Sequence, residues 1–265
     1  MSCDNSCNGA VGGRAPTESP VAMTPVETRL PFPDGIAFAA GCLKEGAAPD
    51  PLPEERALLS ERATPKRVRE FALARHCARE AMARLGIEGA HGLPILRAGT
   101  RAPRWPAGLV GSITHNGAMA AAVVARNRDY LGIGIDLERA RPVSQRLTAR
   151  IALPNEQAWL DGLPHTERSI GFALLFSAKE SIYKAINPIT GVYLGFHDVR
   201  VDLKNAPAAL ADLRQVRLWP AAASVKRFAW ELRIDAGSGF PAGYRGRVYW
   251  DWAASQMLTG VWIGA

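Results

Sequence analysis

The sequence predicts an α/β (α+β) protein of two lobes, each a small, mostly antiparallel sheet packed with one long helix. Three observations carry this. Each half holds one segment of about twenty residues whose apolar positions recur at helical spacing. Short stretches of alternating apolar and polar residues, bounded by Gly, Pro, Asn and Asp, surround both segments. No repeat of fixed short period runs through the 265 residues, a length sufficient for one large domain or two small ones.

The start, "MSCDNSCNGAVGGRAPTESPVAMTP", is rich in Gly, Ser, Pro and Asn and has no apolar centre of the signal-peptide kind. It reads as a disordered tail over 1–25. An N-terminal lobe is expected over 26–134 and a C-terminal lobe over 135–265. "LPFPDGIAFAAGCL" reads as a short strand with turns, and a short helix is expected at 53–62. The first long helix is "TPKRVREFALARHCAREAMARLG". Val68, Phe71, Ala74, Ala78, Met82 and Leu85 form its apolar stripe, Thr64 is its N-cap, Pro65 its first residue and Gly86 its stop. Arg67, Arg69, Arg75 and Arg79 lie off the stripe and give it a basic flank. Short strands and turns are expected in "GLPILRAGTRAPRWPAGLVGSITHNG". A segment of small residues, a turn at 127–129 and the strand "YLGIGIDLE" follow. A helix near 154–161 precedes the second long helix, expected from Glu167 to Ile186 and ended by Asn187-Pro188. "GFHDVRVDL", "FAWELRI", "GRVYWDWA" and "LTGVWIGA" alternate like antiparallel strands.

Composition narrows the function. A hydrophobic fraction of 48% with 22% charged residues is ordinary for a globular chain. No run approaches the roughly 18 apolar residues of a membrane span, so a soluble protein without a membrane partner is expected. The four cysteines make neither a zinc spacing nor a disulfide framework, which fits a reducing cytoplasm. A net charge of +7 favours an anionic partner: a nucleic acid, a phosphorylated small molecule or an acidic protein.

Three motifs carry chemistry. In "GIGIDLERARP", Asp136 and Glu138 are two apart at a strand end and share a face. They are either a strand running out into solvent or two arms of a cation site, since like charges that close repel unless a cation sits between them. In "FSAKESIYKA", Glu180 and Lys184 share a helix face and Lys179 lies about 100° round. Such a pair is commonly solvated, but Phe172, Leu174, Leu175, Phe176, Ile182 and Tyr183 make this helix apolar on most sides, so the charges fit a cleft. A third carboxylate at Glu180 would complete a hard-cation site. In "GSITHNG", Ser112, Thr114 and His115 admit a nucleophilic Ser-His pair, a packed loop histidine, or a phosphate-binding histidine beside hydroxyls. No Walker loop or G-x-G-x-x-G is present, which sets aside nucleotide hydrolases and dehydrogenases.

In order and spacing, "GSITH", "GIGIDLE" and "FSAKESIYKA" resemble the signature of the 4'-phosphopantetheinyl transferases, of the surfactin/enterobactin type built from two similar halves. "REFALARHCAREAMARLG", "RAPRWPAGLVGSITH" and "LGFHDV" resemble the branch of enterobactin-synthase component D and actinobacterial enzymes. The likeness covers roughly residues 50 to 200. It implies pseudo-twofold-related lobes with coenzyme A and magnesium in the cleft between them. It implies transfer of the phosphopantetheine arm of coenzyme A to a serine of an apo acyl or peptidyl carrier protein, by a monomer. By the same resemblance Asp136, Glu138 and Glu180 are the magnesium ligands. Lys179 and Lys184 lie near the pyrophosphate and incoming serine, and His115 contacts a phosphate. Arg67 and Arg75, with Arg69 as a one-residue alternative, hold the 3'-phosphate. Arg101 adds a further phosphate contact, and Ser112 and Thr114 line the coenzyme site. Glu180, Lys184 and Asp136 are the catalytic set. Phe176 departs from the tryptophan that many members carry.

Physical chemistry agrees. A serine attacking a pyrophosphate needs charge neutralised, attacker and leaving group in line, and a base for its proton. A carrier acidic around its serine suits a chain of +7. A basic nucleic-acid-binding module would instead interleave basic residues with exposed aromatics, whereas here the aromatics fall in apolar patterns. A homologue that binds coenzyme A without turnover would be expected to have lost acids or lysines that are all present.

Overall fold

The computed structural model describes residues 23–25, 30–43, 50–99, 102–117, 119–204, 226–253 and 256–265. Arg101 and most of the expected tail lie outside them. Along the chain run β1 (Met23–Pro25), β2 (Ile36–Leu43), α1 (Pro53–Arg56), α2 (Pro65–Arg84), β3 (Leu96–Arg97), β4 (Pro103–Arg104), β5 (Leu109–His115) and β6 (Met119–Arg126). The second half holds β7 (Tyr130–Glu138), α3 (Gln145–Ile151), α4 (Pro154–Gly162), α5 (His165–Thr190), β8 (Val199–Val201), β9 (Lys226–Leu232), β10 (Arg245–Ala253) and β11 (Gln256–Gly264).

Two antiparallel sheets result, in the orders β1-β2-β6-β5 and β7-β11-β10-β9-β8, with β3 and β4 as a separate two-stranded ribbon. This is the α+β, two-lobed architecture expected, with α2 packed on the first sheet and α5 on the second. α2 starts as its sequence dictates: the Thr64 hydroxyl accepts from the Arg67 N–H at 3.2 Å, with Pro65 next. Leu73, Ala74, Cys77, Ala78, Ala81 and Met82 bury its stripe against Ala39, Ala120, Ala122 and Val124. The opposite face of β6 presents Ala121, Val123 and Ala125 to Ile133 and Ile135 of β7. Covered on both faces, β6 reads as an unbroken apolar run rather than an alternating one.

Four boundaries differ from expectation. Met23–Pro25, placed in the tail, adds an edge strand to β2. The lobe boundary expected at 134/135 falls inside β7, whose ladder with β11 begins at Tyr130; the lobes divide at the turn before it. The short helix expected at 53–62 ends at Arg56, because buried Glu55 is fixed there by Arg79 and by the Ile95 N–H. α5 does not stop at Asn187-Pro188 but runs to Thr190. The backbone bond that Pro188 removes is outweighed by the buried Ile186 and Asn187 and by a closed end. There Gly191, at φ 70°, donates to the Asn187 carbonyl and the Asn187 amide donates to the Val192 carbonyl.

Candidate active site

The glycines of "GIGID" let α5 lie directly on β7. Gly132, Gly134 and Asp136 share one strand face. A Cβ on Gly134 would collide with the Ser181 carbonyl oxygen and the Ala185 amide, and one on Gly132 with the Ala185 carbonyl oxygen. With no side chain there, helix and strand approach closely enough for Lys184 to reach Asp136. Its ammonium donates to Asp136 Oδ1 at 2.7 Å and to the Ile135 carbonyl at 3.2 Å. Ser177 and Ser181 face the second sheet and bond the buried Thr259 hydroxyl.

Three carboxylates near this contact act on one another electrostatically. Asp136 is buried; its Oδ1 accepts from both Lys184 and the Thr114 hydroxyl (3.1 Å), while its Oδ2 is buried without a partner. Glu138, where β7 ends, accepts from Arg141 at 3.2 Å. Burial raises the pKa of Glu180 above the usual carboxylate value; Asp136 and Glu138 raise it further and Lys184 opposes them. Among the described residues no group of three His, Cys, Asp or Glu side chains is closed tightly enough to hold a metal ion. Lys184 and Arg141 supply the positive charge to Asp136 and Glu138 instead. The donor set is nonetheless that of a hard cation: three carboxylates, one with a buried oxygen that nothing satisfies.

Next to this cluster a cavity of about 630 Å³ opens between the two lobes. Its N-terminal wall carries Arg67, Arg75, Arg97, Trp105, Ser112 and His115; its C-terminal wall carries Ile133, Tyr183, Lys184 and Asn187. Arg67 donates to His115 Nε2 at 3.1 Å, and His115 Nδ1 stands 3.9 Å from Glu70. Burial first, then the Arg67 charge, lowers the His115 pKa, so the imidazole is neutral at pH 7. Arg75 is buried, with Nε bonded to the Ile95 carbonyl and its guanidinium 4.3 Å from the Phe71 ring centre. Burial lowers its pKa to about 10, which leaves it charged. Such a cavity, basic along one wall and apolar on part of its lining, suits a phosphorylated ligand with an organic body.

Of the residues expected in the site, Arg67, Arg75, His115 and Lys184 line this cavity; Asp136 adjoins it through Lys184, and Glu180 lines a smaller neighbouring pocket that shares Tyr183 with it. Other residues fall elsewhere. Lys179 is 2% exposed, and its ammonium is consumed by Glu156 (2.6 Å), the Ile151 carbonyl (2.9 Å) and the Phe196 carbonyl (2.8 Å). It fastens the end of α3 to α5 and does not line the cavity. Thr114 is likewise turned away, toward Asp136 and the Leu137 N–H. Ser112 lines the cavity, but its oxygen accepts from the Ile135 N–H at 3.1 Å. Arg69 is exposed and not on the cavity wall, which leaves Arg67 as the residue of that pair that is. Arg97 and Trp105 were not singled out from sequence. Arg97 is a lone arginine in a turn-rich stretch, and only the β3–β4 ribbon swings it to the wall.

Two family models match the chain: the 4'-phosphopantetheinyl transferase N-terminal domain over residues 54–125, and the 4'-phosphopantetheinyl transferase superfamily over 132–237. They meet at the turn that divides the lobes and together span more than half of the sequence. The chain belongs to this superfamily. Among its relatives is the 4'-phosphopantetheinyl transferase Svp of Streptomyces mobaraensis, 43% identical over 151 residues (57% of this chain, 60% of the relative). PptT of Mycobacterium tuberculosis is 39% identical over 155 residues (57% and 64%). Enterobactin synthase component D of Salmonella typhi is 30% identical over 144 residues (53% and 57%). The matched stretch thus spans about 57–64% of these relatives' own length. Among the described residues no helix is long and apolar enough to cross a membrane.

Proposed function

We propose that this protein transfers the 4'-phosphopantetheine arm of coenzyme A to a serine of an apo acyl or peptidyl carrier protein, releasing adenosine 3',5'-bisphosphate. The observation that carries the reading is the unpartnered Asp136 Oδ2, buried next to Glu180 at the edge of a cavity walled by arginines, His115 and Lys184. Coenzyme A has the chemistry this cavity suits: three phosphate groups for Arg67, Arg75, Arg97, His115 and Lys184, and an adenine and pantetheine body for the apolar walls. A neutral His115 would donate to a phosphate only by giving up Arg67 or by turning its ring, which frees the Arg67 guanidinium for the same anion.

Magnesium, held by Asp136, Glu138 and Glu180, would neutralise the pyrophosphate and hold its oxygens in place. The chain's own groups supply the rest. Lys184, on the wall shared by acids and cavity, follows the charge as it builds on the bridging oxygen. The serine oxygen forms a bond to the pantetheine-bearing phosphorus as the bridging P–O bond breaks toward the bisphosphate. Glu180, whose setting raises its affinity for a proton, takes the one the serine gives up. The two described cysteines are unpaired, in keeping with action in a reducing cytoplasm.

Incubation with coenzyme A, magnesium and an apo carrier should add one phosphopantetheine mass to the carrier serine. Asp136→Ala should abolish that gain while leaving the circular-dichroism spectrum unchanged. No mass gain across several carriers, or full activity in Asp136→Ala, would reject the reading.

A further inference from the structure

We infer that Thr114 is a positioning residue for the acid cluster, a role that rests on the magnesium reading above. β5 is the last strand of the first sheet and β7 the first of the second, yet they share no ladder. Two hydroxyls join them instead. Ser112 Oγ accepts from the Ile135 N–H, and two residues on Thr114 Oγ1 accepts from the Leu137 N–H, each at 3.1 Å. An oxygen that accepts from Leu137 still holds one proton, and Thr114 gives it to Asp136 Oδ1.

That bond decides which oxygen of Asp136 stays open. The carboxylate torsion is intrinsically broad. Thr114 and Lys184 both donate to Oδ1 and pin the group, so Oδ2 is the oxygen left buried without a partner. Lys184 hangs on a long, partly exposed side chain. Thr114 is buried on a strand, with its rotamer further fixed by the Leu137 N–H. Thr114 therefore remains if Lys184 moves to a phosphate, and keeps the carboxylate aimed. Because Thr114 adjoins His115 on β5, the strand that lines the cavity also sets the acid.

Partners that hold a ligating carboxylate change metal affinity by about 10–100-fold when removed. Thr114→Val keeps the shape and deletes the donor; Thr114→Ser keeps the donor. Direct calorimetric titration of each full chain with magnesium should show Thr114→Val weakened by about that factor and Thr114→Ser near wild type. Coenzyme A affinity in metal-free buffer should be unchanged in both. Wild-type magnesium affinity in Thr114→Val would overturn the inference, as would equal impairment of the two variants, which would mean packing alone. If wild type and Asp136→Ala titrate alike, the magnesium reading itself fails, a result distinct from the other two.

Discussion

Lys179 and Lys184 lie five residues apart on α5, and their ammonium groups meet opposite fates. Lys184 reaches the cavity wall and Asp136; Lys179 turns inward to Glu156, whose side chain is fully buried and also accepts from the Leu153 and Val201 N–H groups at 2.8 Å. Burial lowers the Lys179 pKa and Glu156 opposes that, as expected of a cation kept charged by one partner. Removing one member of a buried pair leaves the other uncompensated, at a cost of about 3–5 kcal/mol. Lys179→Met should lose about that much in urea unfolding, yet bind coenzyme A normally where it is folded. Adding Glu156→Gln, which removes the stranded charge but keeps only one of the two backbone bonds, since its amide nitrogen cannot accept, should recover part of the loss. A Lys179→Met chain of wild-type stability that had lost coenzyme affinity would return Lys179 to the binding site. The sequence showed that Lys179 points about 100° away from the Glu180–Lys184 face. Its partner, 23 residues back on α4, leaves no trace in local spacing.

At the scale of elements, strand β7 and helix α5 form the unit on which the site depends. Alternation along β7 put Asp136 and Glu138 on one face from sequence alone, and the i, i+4 rule put Glu180 with Lys184. What spacing did not convey is why the two faces meet: Gly132 and Gly134 remove the side chains that would hold the helix off. Gly134→Ala sets a methyl group against the backbone of Ser181 and Ala185, which has no room to yield. Overpacking of this kind costs about 1–3 kcal/mol. Displacement by even about 1 Å can lower catalysis on the order of a hundredfold. Both losses are expected of Gly134→Ala, in urea unfolding and in transfer rate. Gly162→Ala, with open space around its Cβ at the end of α4, should be neutral or slightly stabilising. Equal behaviour of the two variants would remove the close approach as an explanation. The same limit hid the hydroxyls of Ser112 and Thr114. A sequence shows that β5 offers them on one face, but not that β7 lies alongside with N–H groups to receive.

Across the whole molecule, charge is the property that the long-range partner would meet first. Between Glu138 and Glu156 the chain has no acid but four arginines, Arg139, Arg141, Arg146 and Arg150, all exposed. They run from the end of β7 through α3, whose last residue is tied to α5 by Lys179 next to Glu180. One exposed large apolar side chain, Leu147 (41%), lies on α3 among them. An acidic carrier approaching with its serine toward Glu180 would pass over this surface, steered by charges that salt screens. The KM for the carrier should therefore rise with ionic strength, with the KM for coenzyme A rising independently through its own phosphates. Arg146 and Arg150 share a helix face. Arg146→Glu with Arg150→Glu should raise the carrier KM by about tenfold, on the order of 1.4 kcal/mol. It should also flatten the salt dependence while leaving the metal-free coenzyme A affinity unchanged. Replacing acidic residues on the carrier by arginine should restore part of the loss. A carrier KM untouched by the double reversal would mean that the carrier reaches Glu180 from another side.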